Sequence, residues 1–515
     1  MASSSPSGSS SALQYSRSVS DASLNSAGQV TPPQDILTSF ATPEGTYHLR
    51  DQIKVNLQPI FQVGSTATLI SVKSVDTHSP SASTPVDPPD FESAPAKFVE
   101  LPLQTDGPQA DKSKFGFMSA KPNPKKTKPT SNKTVANFIS KILVHDQLAR
   151  ILTSRPADVT YLFYNIGRSL LWMDYMRQPK DPLSMIEFKD AFITCHDINP
   201  LTRDTMDVVM GFNTGDVMSY LPLSGKTTHI NRQGCINKSS VLTIQWLPGS
   251  ETRFVAGYAD GSLIFYDKDK DEQPFIGVMP PIDPEGFTVI KSYHERESSV
   301  PNPQGWWQIS QSAVTAISFS PDTQHIAVVT ADGKLKVIDF KGERICDCYP
   351  SYFGGFTCVC WSPDGKFIVT GGQDDFITIW NFRGRIVARC QGHSSWVTSV
   401  AFDPYRCSDR SYRFGSVGED AKLCLWDFSV SSLHRPRTHH TLMRRLPTET
   451  ERKCNVHELA SRRDVSVIEP FFSIAIHLDP IKSINFREDG IITADRAGRV
   501  RLWKRPTPEA APQAD

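Results

Sequence analysis

From Asp158 onward, apolar and polar positions alternate in short runs that return in a fixed order. A strand-like run ends in an aromatic residue and Pro. A second run follows, then a turn containing Asp, then a third run closed by a large apolar residue. The clearest copies are VLTIQWLPGSETRFVAGYADGSLIFYD, VTAISFSPDTQHIAVVTADGKLKVIDF, FTCVCWSPDGKFIVTGGQDDFITIWNF and WVTSVAFDPYRCSDRSYRFGSVGEDAKLCLWDF. A fainter copy precedes them at GFNTGDVMSYLP, and a last one follows at IKSINFREDGIITADRAGRVRLW. The closing residues are Tyr220, Tyr266, Ile338, Trp380, Trp426 and Trp503, with spacings of 46, 72, 42, 46 and 77 residues. Upstream, Gly45 to Val75 also has the β-branched spacing of short strands.

A period of about 40–45 residues with four strands per unit is the signature of WD-repeat propeller blades. The two long spacings then hold insertions of roughly 30 residues beyond one period: DKDKDEQPFIGVMPPIDPEGFTVIKSYHERESSVPNPQG and SSLHRPRTHHTLMRRLPTETERKCNVHELASRRD. A propeller must close radially to protect its edges. The expected fold is therefore an all-β, seven-bladed WD40 β-propeller. Six blades are visible, and the seventh is built from Tyr47–Val75 with Val159–Asp174. The outermost strand of one blade is a candidate to come from the opposite terminus. The Ser/Pro-rich head 1–43 and the insertion 76–134 have too little apolar surface to offset ordering entropy and are expected to be disordered. The remaining expected divisions are first propeller strands at 44–75, blades at 135–428, a basic loop insertion at 429–470, a last blade at 471–505 and a tail at 506–515.

The turn Asp stands six residues before the closing residue at Asp260, Asp332, Asp374 and Asp420. A short acceptor in a tight turn satisfies nearby backbone N–H groups. In WD repeats such an Asp anchors a network with a Ser/Thr, a His before the first strand, and the Trp. One blade matches in full, with His393, Ser416, Asp420 and Trp426. Another has Thr370, Asp374 and Trp380, but Tyr352 at the His position. The faint copy has Thr214 where Asp is expected; the last has Ala497 there and Asp495 two residues early. Those two blades are expected to be less firmly pinned. A catalytic triad of Ser, His and Asp is rejected, because the WD network accounts for the same residues and no G-x-S-x-G elbow is present.

Composition narrows the chemistry. Lys+Arg and Asp+Glu both number 55, so no net charge draws the chain to nucleic acid or an acidic membrane. Ten cysteines in 515 residues do not form a disulfide scaffold. The polar start MASSSPSGSSSALQYS does not read as a secretory signal, so none is expected, and VTYLFYNIGRSLLWM is too short to cross a bilayer. The expected setting is the cytoplasm, with the nucleus a further compartment if KKTK (Lys125–Lys128) serves import; a solvated linker is the plainer reading. SGKT at Ser224–Thr227 lacks the upstream Gly of a P-loop. Cys358 and Cys360 alternate in FTCVCW and read as strand core; Cys454 with His457 is only a half-site for zinc. No catalytic residue, metal or cofactor is expected. The basic LHRPRTHHTLMRR lacks interleaved aromatics and reads as a solvated loop.

What remains is surface. Phe353 in SYFGG and Trp396 in GHSSWV precede first strands in neighbouring blades and fall outside the alternating core pattern. They are candidate binding anchors; loop packing against the next blade is the other reading. Together, TCHDIN (Thr194–Asn199), KSSVLTIQWLPGSE, SYFGGFTCVCWSPDGKFIVTGGQDD and GHSSWVTSVAFDPY resemble the WD-repeat proteins that bind and activate ubiquitin-specific proteases. The resemblance covers about residues 190–430 and 475–504, plus GTYHL. It implies a non-catalytic scaffold that holds a CreB-like deubiquitinase, with a second WD-repeat activator as a further partner. It also implies a role in carbon catabolite repression through stabilised target proteins, and it places partner contacts at Phe353 and Trp396. A different class is a general transcriptional or chromatin scaffold that reads basic tails through an acidic ring.

Overall fold

The computed structural model describes residues 37–73, 97–101, 138–154, 158–176, 181–273, 287–291, 300–429 and 454–506. Each repeat becomes one blade, and the described strands form seven sheets. We number the blades 1 to 7 by their first strands: Ala67–Lys73, Ile193–Ile198, Val241–Trp246, Val314–Phe319, Phe356–Trp361, Val397–Phe402 and Ile481–Phe486. These strands stand side by side around the axis. The second strands read as almost unbroken apolar or small runs, as in His325–Thr330, Phe367–Gly372 and Gly490–Asp495, with every residue buried. Their two faces each meet a neighbouring blade, which removes the alternation expected of a half-solvated sheet.

Large residues fill the gaps between blades. Trp426 joins a buried cluster with Phe367, Ile379 and Cys390 of blade 5, and Trp380 joins one with Val329 and Val337 of blade 4. Threonines tie the ring near its axis. Thr315 Oγ1 donates to the Phe356 carbonyl at 2.7 Å, Thr357 to that of Val397, and Thr398 to that of Ile481, each linking one first strand to the next.

Closure differs in detail from the sequence reading. Gly45–Lys54 does not build the seventh blade with Ala67–Lys73; it pairs with Arg499–Lys504 as the fourth strand of blade 7, so the two ends of the chain share one sheet. Ser39–Thr42 adds a fifth strand there, inside the head expected to be disordered. Phe40 supplies the reason. Its ring lies 5.0, 4.7 and 5.0 Å from those of Tyr47, Phe472 and Trp503, a burial worth roughly 2–3 kcal/mol. Residues 1–36 lie outside the described residues.

Insertions also supply strands. Phe98–Glu100, within the expected 76–134 insertion, pairs with Ile139–His145 at the edge of blade 1. Thr288–Ile290 pairs with Gly305–Gln308 in blade 3. Within 429–470, Asn455–Val456 and Ser466–Ile468 pair in parallel with the outer strands of blades 4 and 5. His457 fixes this strap: it stacks on Tyr349 at 4.1 Å, and its Nε2 lies 2.8 Å from the buried Asp347 carboxylate. KKTK, LHRPRTHHTLMRR and most of the tail lie outside the described residues.

Candidate protein-binding face

The chain enters each first strand from the preceding blade's outer strand, and the second strand returns antiparallel to the same end. Pre-strand loops and Asp turns therefore share one face, here called the loop face. Its rigidity rests on buried side-chain networks.

Blade 6 has the complete one. His393 Nδ1 lies 3.0 Å from Asp420 Oδ1, and its Nε2 lies 2.8 Å from Ser416 Oγ. Ser416 Oγ also accepts Trp426 Nε1–H at 2.8 Å. Burial pushes the His393 pKa down, but the hydrogen bond to Asp420 overrides this and raises it to about 9. The ring is then an imidazolium at neutral pH, donating from both nitrogens. An imidazolium cannot act as a base, and Ser416 is fully buried. The geometry resembles a triad but can do none of its chemistry.

Elsewhere the network is present with other residues. In blade 5, Trp380 Nε1 donates to Thr370 Oγ1 at 2.9 Å, but Tyr352 does not replace His. Arg389 takes the role, its guanidinium 4.6 Å from the Tyr352 ring and 3.5 Å from Asp374 Oδ2. In blade 3, Asn237 Nδ2 donates to Asp260 Oδ2 at 2.8 Å and to Ser262 Oγ at 3.0 Å. In blade 4, Thr330 Oγ1 donates to Asp332 Oδ1 at 2.5 Å.

The two blades expected to be poorly pinned carry buried His–Asp pairs at shifted positions. In blade 2, His229 Nε2 lies 2.7 Å from Asp216 Oδ1, and Thr214 Oγ1 donates to Asp216 Oδ2 at 2.6 Å. In blade 7, His477 meets Asp495 at 2.9 Å and Thr493 at 2.8 Å. Trp503 Nε1 alone drops out, with no acceptor among the described residues. The sequence reading missed Asp216, His229, Asn237, Arg389 and His477. A positional signal existed: Asn237, His393 and His477 all stand four residues before a first strand.

The remaining chemistry candidates are occupied. Cys358 and Cys360 pack between blades 5 and 6. Burial pushes the Cys358 thiol up to about 11 and that of Cys360 well above its usual range, which holds both protonated. Cys454 packs beside a buried apolar cluster, and His457 is engaged by Asp347.

Phe353 and Trp396 stand on loops held at both ends, yet they are 69% and 44% exposed. Ser351 Oγ donates to the Gly354 carbonyl at 2.6 Å, Gly355 N–H to Gln373 Oε1 at 2.9 Å, and Gln373 N–H back to the Gly355 carbonyl at 3.0 Å. Gly354 has φ +62°, and a Cβ on Gly355 would sit 2.6 Å from the Ala331 carbonyl oxygen, so SYFGG needs both glycines. Trp396 follows the pinned His393 by three residues, and its carbonyl accepts Glu419 N–H at 2.9 Å. Loop packing does not hide either ring.

The family model described as WD domain, G-beta repeat matches residues 306–339, 347–381 and 384–427. The UBP9-binding protein bun62 of Schizosaccharomyces pombe is 38% identical over 407 residues, covering 72% of this chain and 75% of its own. The chain belongs to the WD-repeat family that includes this UBP9-binding protein.

Proposed function

We propose that this chain is a non-catalytic scaffold that binds a ubiquitin-specific protease through the loop face and raises its activity. The observation that carries it is the pair Phe353 and Trp396: large rings left in solvent on loops that are otherwise fixed, in adjacent blades. Rigid aromatic anchors lose little entropy on binding. A UBP9-binding relative over most of the chain supports the same reading. The resemblance to the fungal protein CreC extends it to a CreB-like partner, a second WD-repeat activator, and a role in carbon catabolite repression through stabilised targets, in the cytoplasm and the nucleus.

The test is a Phe353→Ala/Trp396→Ala double variant. Each truncation should cost about 2 kcal/mol or more, so the folded variant should lose co-purification with the protease and its stimulation of ubiquitin cleavage. Undiminished binding would remove these residues from the site. A chromatin scaffold reading basic tails would need free carboxylates on this face. Asp420, Asp495 and Glu419 are held by His393, His477 and Arg496; Asp375 in the blade 5 turn has no cation partner among the described residues, but one such carboxylate does not make an acidic ring.

A further inference from the structure

Two features of the loop face lie beyond Phe353 and Trp396. The first is an arc. Leu478, just before the first strand of blade 7, is 56% exposed, and Phe61, in the loop entering blade 1, is 48% exposed. Phe353, Trp396, Leu478 and Phe61 thus occupy the pre-strand loops of four consecutive blades, 5, 6, 7 and 1. Their loops are fixed: His477 is locked by Asp495, and Val63 and Gly64 N–H both donate to the Ile60 carbonyl at 3.0 Å.

The second is a cation without a counter-ion. Lys482 holds the second position of its first strand, where blades 4, 5 and 6 carry Thr315, Thr357 and Thr398. Lys482 is partly buried, and among the described residues Glu419 is the carboxylate whose charge is felt by it. Glu419 is bound by Arg496 at 2.5 Å instead. Burial and the nearby Arg496 charge push its pKa down, the mark of an ammonium group lacking an anion. The two features adjoin. A Cβ on Gly64 would sit 3.2 Å from Lys482 Cβ and 3.0 Å from Arg496 Cγ, and the Arg496 guanidinium lies 6.0 Å from the Phe61 ring centroid.

Resting on the proposed protease-binding role of this face, we propose that the partner presents an acidic side chain framed by apolar ones, its carboxylate seated on Lys482 and the apolar groups on the arc from Phe353 to Phe61. A free phosphate would satisfy the ammonium but leave the arc in water, and one unpaired ammonium on a chain of zero net charge gives little hold on a nucleic-acid backbone; a protein surface satisfies both.

The experiment measures affinity of the full chain for the protease that co-purifies with it, across a salt series. Lys482→Thr installs the residue found at that position in blades 1, 2, 4, 5 and 6, so it should fold; Lys482→Met preserves the stem as a second variant. Both should weaken binding about tenfold or more and flatten its salt dependence. Phe61→Ala/Leu478→Ala should also weaken it. Wild-type affinity of the Lys482 variants at every salt concentration overturns this inference, as does a loss of heparin retention with protease binding unchanged. If Phe353→Ala/Trp396→Ala still abolishes binding in that case, the protease-binding reading stands; if neither set has an effect, both fall.

Discussion

The His393 network yields a prediction that can be worked quantitatively. Its folded pKa is raised from 6.5 to about 9, and the side chain is 0% exposed, so solvent screening does not dilute the effect. At about 1.4 kcal/mol per tenfold change in proton affinity, the protonated ring stabilises the folded state by roughly 3 kcal/mol. The pKa is raised, so this contribution is complete below pH 6.5 and is lost as pH climbs through about 9. It should be about 3 kcal/mol at pH 6, about 2 at pH 7.5 and close to zero at pH 9.5. The assay is urea unfolding followed by tryptophan fluorescence for wild type and His393→Gln, taking their difference at each pH. Subtraction removes the background titration of the rest of the chain. That difference should shrink by about 3 kcal/mol from pH 6 to 9.5. A difference that stays flat would mean that His393 titrates alike in the folded and unfolded chain, and one that falls on the acid side that it is held neutral; either would refute the argument that it cannot act as a base.

Two further predictions follow from neighbouring geometry. His477 makes similar contacts with Asp495 and Thr493, but burial dominates and lowers its pKa; its contribution is therefore present above pH 6.5 and lost as pH falls, so the wild-type minus His477→Gln difference should decline on the acid side in the same assay. Gly355→Ala would push a methyl against the Ala331 carbonyl and should lower stability by about 1–3 kcal/mol, while weakening protease binding more than melting, because it displaces the segment carrying Phe353; unchanged binding would show that the exact loop path is immaterial.

Much of the ring was legible in the sequence because each blade repeats a local instruction: apolar runs of fixed length, a turn Asp and a large closing residue. Tyr220, Tyr266, Ile338, Trp380, Trp426 and Trp503 all close third strands. Non-local pairing was harder to read. Gly45–Lys54 looks like any strand, and only its 504-to-48 pairing reveals that it belongs to blade 7. Phe40 sits in a polar head and finds its partners, Phe472 and Trp503, more than 400 residues away. The networks failed for a different reason. A search for His at one position misses Asn237 and Arg389, which meet the same need, a donor beside a half-buried turn carboxylate, with other chemistry. Leu478 and Phe61 were missed because apolar residues before a strand read as the start of its core pattern.

The pinned loops bear on how such a face could alter an enzyme. Anchors held by Gly355, His393 and His477 have little freedom to follow a partner, so adjustment on binding falls mainly to the partner. A ligand shifts an equilibrium only by the difference in its affinity for the two states. A hundredfold preference for the active state, about 2.7 kcal/mol, is of the order of a single desolvated aromatic contact or charge pair. Activation therefore does not require every contact on the loop face to distinguish the two states. It requires one, and the others can hold both states equally. Lys482 is the candidate for that role, because a carboxylate displaced by a few ångströms loses its hydrogen bond and about half of its Coulomb attraction to a partly buried ammonium, whereas Phe353 and Trp396 tolerate sliding. On this argument Lys482→Thr should reduce stimulation at saturating scaffold, and Phe353→Ala alone should reduce affinity while leaving saturated stimulation intact.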